Sequence, residues 1–306
     1  MRGEKGFALV LTLVVTALMV AVAAEMIHQV YVDTSLSRSF RDGQQASLLA
    51  ESGITGGTKL LQFALSSQNY TSLSDSWAAP FKLDDEVGSI EISASEESGK
   101  INLNSLVQAN GEYEPFTQAA LKRLGQRLQI PEDCWSSLAD WLDSNDLPRA
   151  GGAETAYYSN LKPPYSARNG PLATLNELTL VRGFTPEIVT KLLPFVTIYN
   201  DPLNQVGVVN INTAPKEVVA ALNDRIDDRM VERLLEERRL QPFKNTGDIS
   251  NRVDRQLGNE LSGRIIFMGN IFRITSVAKV KDTARTVEAV VRMTDKPPGI
   301  LSWREY

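Results

Sequence analysis

The chain begins with an apolar run that is long enough to cross a membrane. Residues 7–24 (FALVLTLVVTALMVAVAA) contain no charged side chain, and the run ends at Glu25. A helix of about 20 predominantly apolar residues spans the hydrocarbon core of a bilayer. The pattern therefore predicts a transmembrane helix over residues 7–24.

Beyond this run the helical pattern continues but becomes amphipathic. Apolar and small residues recur at intervals of three and four over residues 27–34 and again over residues 50–65, which is the spacing of one helix face. We predict one helix over residues 7–65, half in the membrane and half packed on a soluble domain. Residues 66–76 (SSQNYTSLSDS) have the composition of a loop.

Four short segments alternate between apolar and polar residues, as strands with one buried face do. Two of them, at residues 88–95 and 100–106, precede the middle of the chain. The other two, at residues 271–280 and 285–293, lie near the C-terminus and are separated by a predicted hairpin turn, Lys281-Asp282-Thr283-Ala284. The simplest topology is an antiparallel sheet packed on the N-terminal helix, with the intervening region inserted between strands.

The middle of the chain is predicted to be helical and contains two similar segments. Residues 171–194 and 209–249 each combine a helix, a short turn and a second helix, and Thr185 before Pro186 is a typical helix start. The fold class is therefore α+β with an inserted all-α domain. The predicted divisions are residues 25–104 with 266–295 (helix and sheet), 105–265 (inserted helical domain) and 296–306 (C-terminal tail).

The two repeated segments resemble helix-hairpin-helix or sterile-alpha-motif-like (SAM-like) repeats, and helix-hairpin-helix pairs often bind DNA. They do so through backbone N–H groups of a glycine-rich hairpin at a helix N-terminus. Here the hairpin at residues 223–228 (NDRIDD) has three acidic residues and no glycine, and the net charge of the chain is −5. Phosphate binding requires a basic surface, so a DNA-binding membrane protein is the less favoured alternative and we expect no nucleic-acid partner.

A polar cluster in the first part of the predicted insert could hold a metal ion. Calcium takes six to eight oxygen ligands, and Asp140 and Asp143 are one helical turn apart and project to the same side. Asp, Asn and Pro also form turns without any ion, so the spacing alone leaves both interpretations open. The candidate oxygen ligands are Asp140, Asp143, Asn145, Asp146 and Glu154.

The sequence offers no arrangement typical of an active site. It contains no P-loop, no Gly-x-Ser-x-Gly motif and no metalloprotease histidine pair. The only cysteine, Cys134, excludes an intrachain disulfide, and the only histidine, His28, is too distant along the chain to predict a zinc site with it. We therefore predict a protein that is not an enzyme.

The residues before the apolar run, Lys5-Gly6-Phe7, distinguish it from a secretory signal peptide, which is cut after its apolar stretch. Here the glycine precedes the stretch. This arrangement resembles the class III signal of type IV prepilins and pseudopilins, in which a membrane peptidase cuts after the glycine and methylates the new N-terminal residue. The resemblance implies a leader over residues 1–6, cleavage between Gly6 and Phe7, and a methylated Phe7. An ordinary signal anchor is the alternative.

One departure from the prepilin pattern indicates which family of pseudopilins this chain resembles. Most pilins and pseudopilins have Glu as the fifth mature residue, where this chain has Leu11. Among type II secretion pseudopilins, the minor pseudopilin K family (general secretion pathway protein K) typically lacks this Glu. The order of leader, anchor, amphipathic helix, flanking strands, Asp-rich loop and helical repeats is similar to this family over almost the whole chain. The resemblance implies a pilin-like fold with a SAM-like insert and calcium at the Asp-rich loop.

The same resemblance implies a function and a location. The family member acts at the tip of the type II secretion pseudopilus, where it initiates and caps assembly for protein export across the outer membrane. Its partners would be the minor pseudopilins I and J, with H and the major pseudopilin as further candidates, and the prepilin peptidase. Arg2 and Lys5 predict a cytoplasmic N-terminus with the bulk of the chain on the other side of the membrane. The resemblance implies that this membrane is the bacterial inner membrane and that the C-terminal domain is periplasmic. A minor pilin of a type IV pilus is the alternative.

Overall fold

The N-terminal part of the chain forms one long helix. A computed structural model describes residues 4–204 and 206–306, so residues 1–3 of the predicted leader lie outside the described residues. Helix α1 spans Glu4–Leu65. Every described side chain over residues 6–41 is exposed, and an 18-residue window of this helix reaches a mean hydropathy of 2.7. Its first half therefore projects from the rest of the molecule with the length and composition of a membrane span.

The other helices and strands follow in chain order. They are β1 Phe81–Asp84, β2 Ser89–Glu96, β3 Ile101–Asn102, α2 Pro115–Leu128, α3 Asp133–Leu142, α4 Thr155–Tyr158, α5 Pro186–Leu192, β4 Val196–Thr197, β5 Val209–Asn210, α6 Lys216–Ala221, α7 Asp228–Leu240, α8 Thr246–Arg252, α9 Arg255–Glu260, β6 Ile265–Ile266, β7 Ile271–Val280, β8 Thr283–Arg292 and β9 Gly299–Glu305. Short 3-10 helices lie at Ser76–Ala78, Leu103–Ser105 and Leu175–Leu180.

A five-stranded antiparallel sheet packs on the second half of α1. Its strand order is β1-β2-β7-β8-β9, and α1 lies on β7 and β8. A Cβ on Gly53 would overlap the side chains of Ser276 and Ile90, so this glycine lets the helix approach the sheet closely. Where α1 enters the domain, the Lys281 ammonium group donates to the Asp42 carboxylate at 2.9 Å. The predicted α+β fold, a long helix on a small antiparallel sheet, is confirmed.

Three local predictions need correction. In the predicted strand over residues 100–106, strand pairing covers Ile101–Asn102, because the Asn102 side chain accepts from the Asn104 backbone N–H and starts a 3-10 turn. The β7–β8 turn has two residues, Lys281 and Asp282, with Lys281 at φ 52, since Thr283 already pairs with Val280. Residues 296–306, predicted as a tail, contribute strand β9, which pairs with β8 along the sheet edge.

The insert has its own apolar core, but it is not purely helical. The buried side chains of residues 101–265 form one cluster, distinct from the cluster between α1 and the sheet. Two short parallel pairs each close one half of the insert: β3 pairs with β4 in the first half, and β5 pairs with β6 in the second. Such pairs join residues about 55 to 95 positions apart, which period-2 patterning cannot detect in two-residue strands. The division of the chain into domains stays a prediction.

Buried polar side chains join the insert to the sheet. The Asn210 side-chain amide donates to Glu96 Oε1 and to Thr71 Oγ1, each at 2.7 Å. The Gly269 backbone N–H also donates to Thr71 Oγ1, at 3.0 Å. All of these side chains are at most 6% exposed. Because Glu96 is on β2 and Asn210 on β5, this network couples the two parts of the molecule.

Candidate functional site

The Asp-rich loop closes over the end of helix α3. Asp140 lies in the last turn of α3, Asp143 follows its last residue, and Glu154 directly precedes α4. Each of these three carboxylates offers one oxygen atom that lies within 4.8 Å of the others, and all three residues are buried. The structure thus brings together three of the five predicted ligands, across a loop that returns from residue 143 to residue 154.

The other two predicted ligands lie on the exposed side of the same loop. Asn145 Oδ1 accepts from the Leu147 backbone N–H at 2.8 Å, and Asp146 Oδ1 accepts from the Asn169 side-chain amide at 3.1 Å. Both residues are exposed. Their hydrogen bonds are those of turn-forming residues, and the structure does not bring them into the buried group.

A cationic side chain that is not among the predicted site residues lies against the buried carboxylates. Arg149 Nη1 donates to Asp140 Oδ1 at 2.7 Å and to Asp143 Oδ2 at 2.5 Å. The Arg149 backbone N–H donates to both Asp140 oxygens, at 3.1 and 3.2 Å. The only indication of this contact in the sequence is a basic residue within an acidic loop. Arg149 is six and nine positions from Asp143 and Asp140, and neither spacing matches the period of a helix or a strand.

Glu154 is the carboxylate of this cluster that has no cationic or hydrogen-bonding partner among the described residues. It is 2% exposed, and neither side-chain oxygen accepts a hydrogen bond within residues 4–204 and 206–306. Burial, together with the negative charges of Asp140, Asp143 and Asp146, raises the pKa of Glu154 to about 7. Buried carboxylates are normally paired or bind metal ions, so this orphaned group is an independent indication of a cation.

The donor set fits a hard divalent cation. Its ligand atoms are carboxylate oxygens, which suit calcium rather than zinc or copper. A Cβ on Gly152 would overlap Asp140 Oδ2, so a glycine is required where the loop backbone passes over the cluster. Burial also raises the pKa of Asp140, although Arg149 acts in the opposite direction. The three carboxylates and Arg149 together carry a charge of −2 when ionised, which one divalent ion would neutralise.

The predicted processing site lies in the first turns of α1. Gly6 and Phe7 are both exposed, with Phe7 71% exposed, and a Cβ on Gly6 would meet no atom within 4 Å. Leu11, at the position of the usual glutamate, is also exposed. The peptide bond between Gly6 and Phe7 is therefore not covered by the described part of the chain.

The acidic hairpin at residues 223–228 contacts helix α2. Arg127 Nη2 donates to Asp228 Oδ1 at 2.7 Å, and Arg123 forms an ion pair with Asp224. These ion pairs use the carboxylates of the hairpin to hold α2 against the start of α7. The hairpin thus has an intramolecular role, and its acidic residues leave it unsuited to phosphate.

Two family models described as type II secretion system (T2SS), protein K, match residues 99–201 and 209–261, together about half of the chain. The chain belongs to the type II secretion system protein K family. This family is a structural pseudopilin component, and the chain functions as a minor pseudopilin. The predicted membership of the protein K family is confirmed, and the type IV pilus alternative is not favoured.

Two bacterial relatives cover nearly the whole chain. Type II secretion system protein K of Pseudomonas aeruginosa is 27% identical over 95% of this chain and 89% of its own length. The protein of the same name from Aeromonas hydrophila is 26% identical over 94% of this chain and 93% of its own length. The apolar helix and these relatives fit a membrane-anchored member of the family.

A solved structure shares the fold. A chain in the crystal structure of the GspK-GspI-GspJ complex from the enterotoxigenic Escherichia coli type 2 secretion system superposes with a TM-score of 0.76. The match covers 88% of this chain and 99% of that chain at 22% sequence identity. The arrangement of α1, the sheet and the insert is therefore a fold that a type II secretion component also has.

Proposed function

We propose that this minor pseudopilin acts at the tip of the type II secretion pseudopilus, where it initiates and caps assembly together with the minor pseudopilins I and J. The observation that carries the proposal is the combination of a free first half of α1 with a bulky insert. Side chains over residues 6–41 are exposed and available to neighbouring subunits, and Leu11 replaces the carboxylate that docks most pilins. The solved relative in a complex with GspI and GspJ supports these partners.

A head enlarged by the insert suits the end of a fibre better than its repeating shaft, since each shaft subunit must be covered by the next. H and the major pseudopilin would then lie below the tip. The chain would act as a structural and assembly component with no catalytic activity of its own. The absence of catalytic motifs from its sequence supports this role.

We also infer that the protein is anchored in the inner membrane, with its N-terminus in the cytoplasm and its C-terminal domain in the periplasm. The support is the position of Arg2 and Lys5 before the apolar run, because positive residues flanking a span favour the cytoplasmic side. The prepilin peptidase would remove residues 1–6 from that side and methylate Phe7.

The processing proposal predicts the N-terminus of the mature protein. Mass spectrometry of the protein purified from membranes should identify Phe7 as the first residue, carrying one methyl group. Gly6→Val should block cleavage because the peptidase acts after this glycine, whereas Gly3→Val should be processed normally. An intact leader in the wild-type protein, or a cut beyond Ala24, would contradict the pilin-type anchor.

We further propose that Asp140, Asp143 and Glu154 hold a calcium ion, with Asn145 and Asp146 as further candidate ligands on the exposed side of the loop. Calcium would supply positive charge to a buried acidic cluster. The chain's own residues would hold it by bringing the end of α3, the returning loop and the start of α4 together. The support is the unpaired, 2% exposed Glu154 beside two buried carboxylates.

This site predicts a calcium-dependent melting temperature. In detergent, the full-length chain should melt roughly 5 °C or more higher with excess calcium than with a chelator, because an ion bound only by the folded state stabilises it by RT ln(1 + [L]/Kd). Asp143→Asn should lose most of this shift. Asp282→Asn, in the exposed β7–β8 turn, should keep it. Equal melting temperatures of the wild type in calcium and chelator would remove the site.

A further inference from the structure

We propose that Arg149 is a built-in cation of the calcium site: it holds Asp140 and Asp143 when no ion is bound, and leaves Glu154 as the carboxylate that depends on the ion. This inference rests on the calcium site proposed above. Asp140 and Asp143 then have a cationic partner within the chain, whereas Glu154 requires the bound ion.

The guanidinium group is fixed from several directions. Besides its bonds to the two aspartates, Arg149 Nη2 donates to the Gly111 carbonyl at 2.5 Å, and the guanidinium lies 5.0 Å from the centre of the Tyr113 ring. The Arg149 side chain is 19% exposed. Arginine at such a site is a planar donor that engages several acceptors at once. These contacts anchor Arg149 in place, so it is a permanent member of the cluster.

The net charge of the cluster matches that of one divalent ion. Without Arg149, three buried carboxylates lie within 4.8 Å of one another, and their mutual repulsion would oppose folding in the absence of a metal. With Arg149, the charge falls to −2 when all three are ionised. The remaining charge matches calcium, and the carboxylate that bears it without a partner among the described residues is Glu154.

The two roles have different consequences for stability. Asp140 and Asp143 keep their partner in Arg149 whether or not an ion is present, so the loop can close over α3 before calcium is encountered. Glu154 gains its partner only from the ion. The domain should therefore fold without calcium and be strengthened by it, and this balance should depend on Arg149.

The experiment compares substitutions on the two sides of the cluster. Melting temperature and calcium affinity, by titration calorimetry with calcium chloride, are measured for the full-length chain in detergent, with chelator and with excess calcium. Glu154→Gln should melt no lower than the wild type in chelator and should lose the calcium shift, because it removes the unpaired charge. Arg149→Met should melt roughly 10 °C lower in chelator, because two buried carboxylates lose their partner, and should show a larger calcium shift than the wild type.

Arg127→Met is the matched control, since Arg127 pairs with the exposed Asp228; its calcium shift should equal that of the wild type. A wild-type protein without a calcium shift would refute the ion site itself. A wild-type shift combined with an Arg149→Met variant that is unchanged in chelator, or that calcium stabilises less than the wild type, would overturn the role of Arg149. If Arg149→Met does not fold in either condition, Arg149→Gln decides by the same two criteria, because it also removes the charge but can still donate to one of the aspartates.

Discussion

Replacing the buried Glu96 with glutamine is expected to stabilise the protein by about 3 kcal/mol at pH 8 and by less than about 1 kcal/mol at pH 5. Burial raises the pKa of Glu96 from 4.5 to about 7, although the hydrogen bond from the Asn210 side-chain amide acts in the opposite direction. The nearby Asp75 carboxylate acts in the same direction as burial. Below pH 7 we therefore expect Glu96 to stay protonated in the network that joins the insert to the sheet.

The sign follows from the protons that each state binds. Between pH 4.5 and pH 7 the unfolded chain releases the Glu96 proton while the folded chain keeps it, so stability falls as pH rises. Above pH 7 both states are ionised and the loss is complete. Glutamine cannot ionise, so the variant should escape this loss. Denaturant unfolding of the wild type and the variant at pH 5 and pH 8 measures the difference.

The neighbouring glutamate is a matched control with the opposite sign. Glu97 is 1% exposed, but Oε1 accepts from Lys100 Nζ at 2.9 Å and from Arg273 Nε at 2.8 Å. Burial raises the pKa of Glu97, yet Lys100 and Arg273 together outweigh burial and lower it. Glu97→Gln should therefore destabilise the protein at pH 8. If the two substitutions change stability at pH 8 in the same direction, the pKa of Glu96 is not raised in the folded protein.

Removing the Asn212 side chain is expected to cost about 3–5 kcal/mol of unfolding free energy. Asn212 Nδ2 donates to the Phe243 carbonyl at 2.8 Å, and Oδ1 accepts from the Phe243 backbone N–H at 2.9 Å. Asn212 is 2% exposed and Phe243 is fully buried. Asn212→Ala would leave both backbone groups of Phe243 without partners in the interior, and each such group costs about 1–3 kcal/mol.

Asn160→Ala is the matched control for this prediction. Its side-chain amide donates to the Ala156 carbonyl at 2.8 Å, but the residue is exposed, so water can replace the bond. We expect a change within about 0.5 kcal/mol. Both variants are compared with the wild type by denaturant unfolding at one pH. A loss for Asn212→Ala no larger than that for Asn160→Ala would show that the buried amide is not required.

Much of the fold could be predicted because it depends on local patterns. The helix over residues 7–65, the strand over residues 88–95 and the C-terminal hairpin follow from periods of 3.6 and 2, and the structure has elements there with ends shifted by at most three residues. Strand β9 was missed because Pro297 and Pro298 precede a short segment whose alternation is weak. Its pairing with β8 is a property of the sheet and not of residues 299–305 themselves.

The candidate metal site was predictable only in part, for a similar reason. Asp140 and Asp143 share a helical turn, so their proximity follows from local geometry. Glu154 joins them because the loop folds back, and Arg149 enters because the loop places it between the two aspartates. Asn145 and Asp146 are as close in sequence, yet both are exposed. Spacing along the chain does not tell which side of a loop faces the interior.

The sequence by itself determined the membrane-length anchor, the glycine before it, the long helix, the main strands and the resemblance to the protein K family. Each of these depends on patterns within contiguous segments of the chain. The tertiary structure alone decided the partners of Arg149, the lack of a partner for Glu154 among the described residues, the raised pKa of Glu96 and the link through Asn210. These depend on burial and on contacts between residues distant in the chain. Burial changes the free energy of a charge by an amount that no local pattern contains.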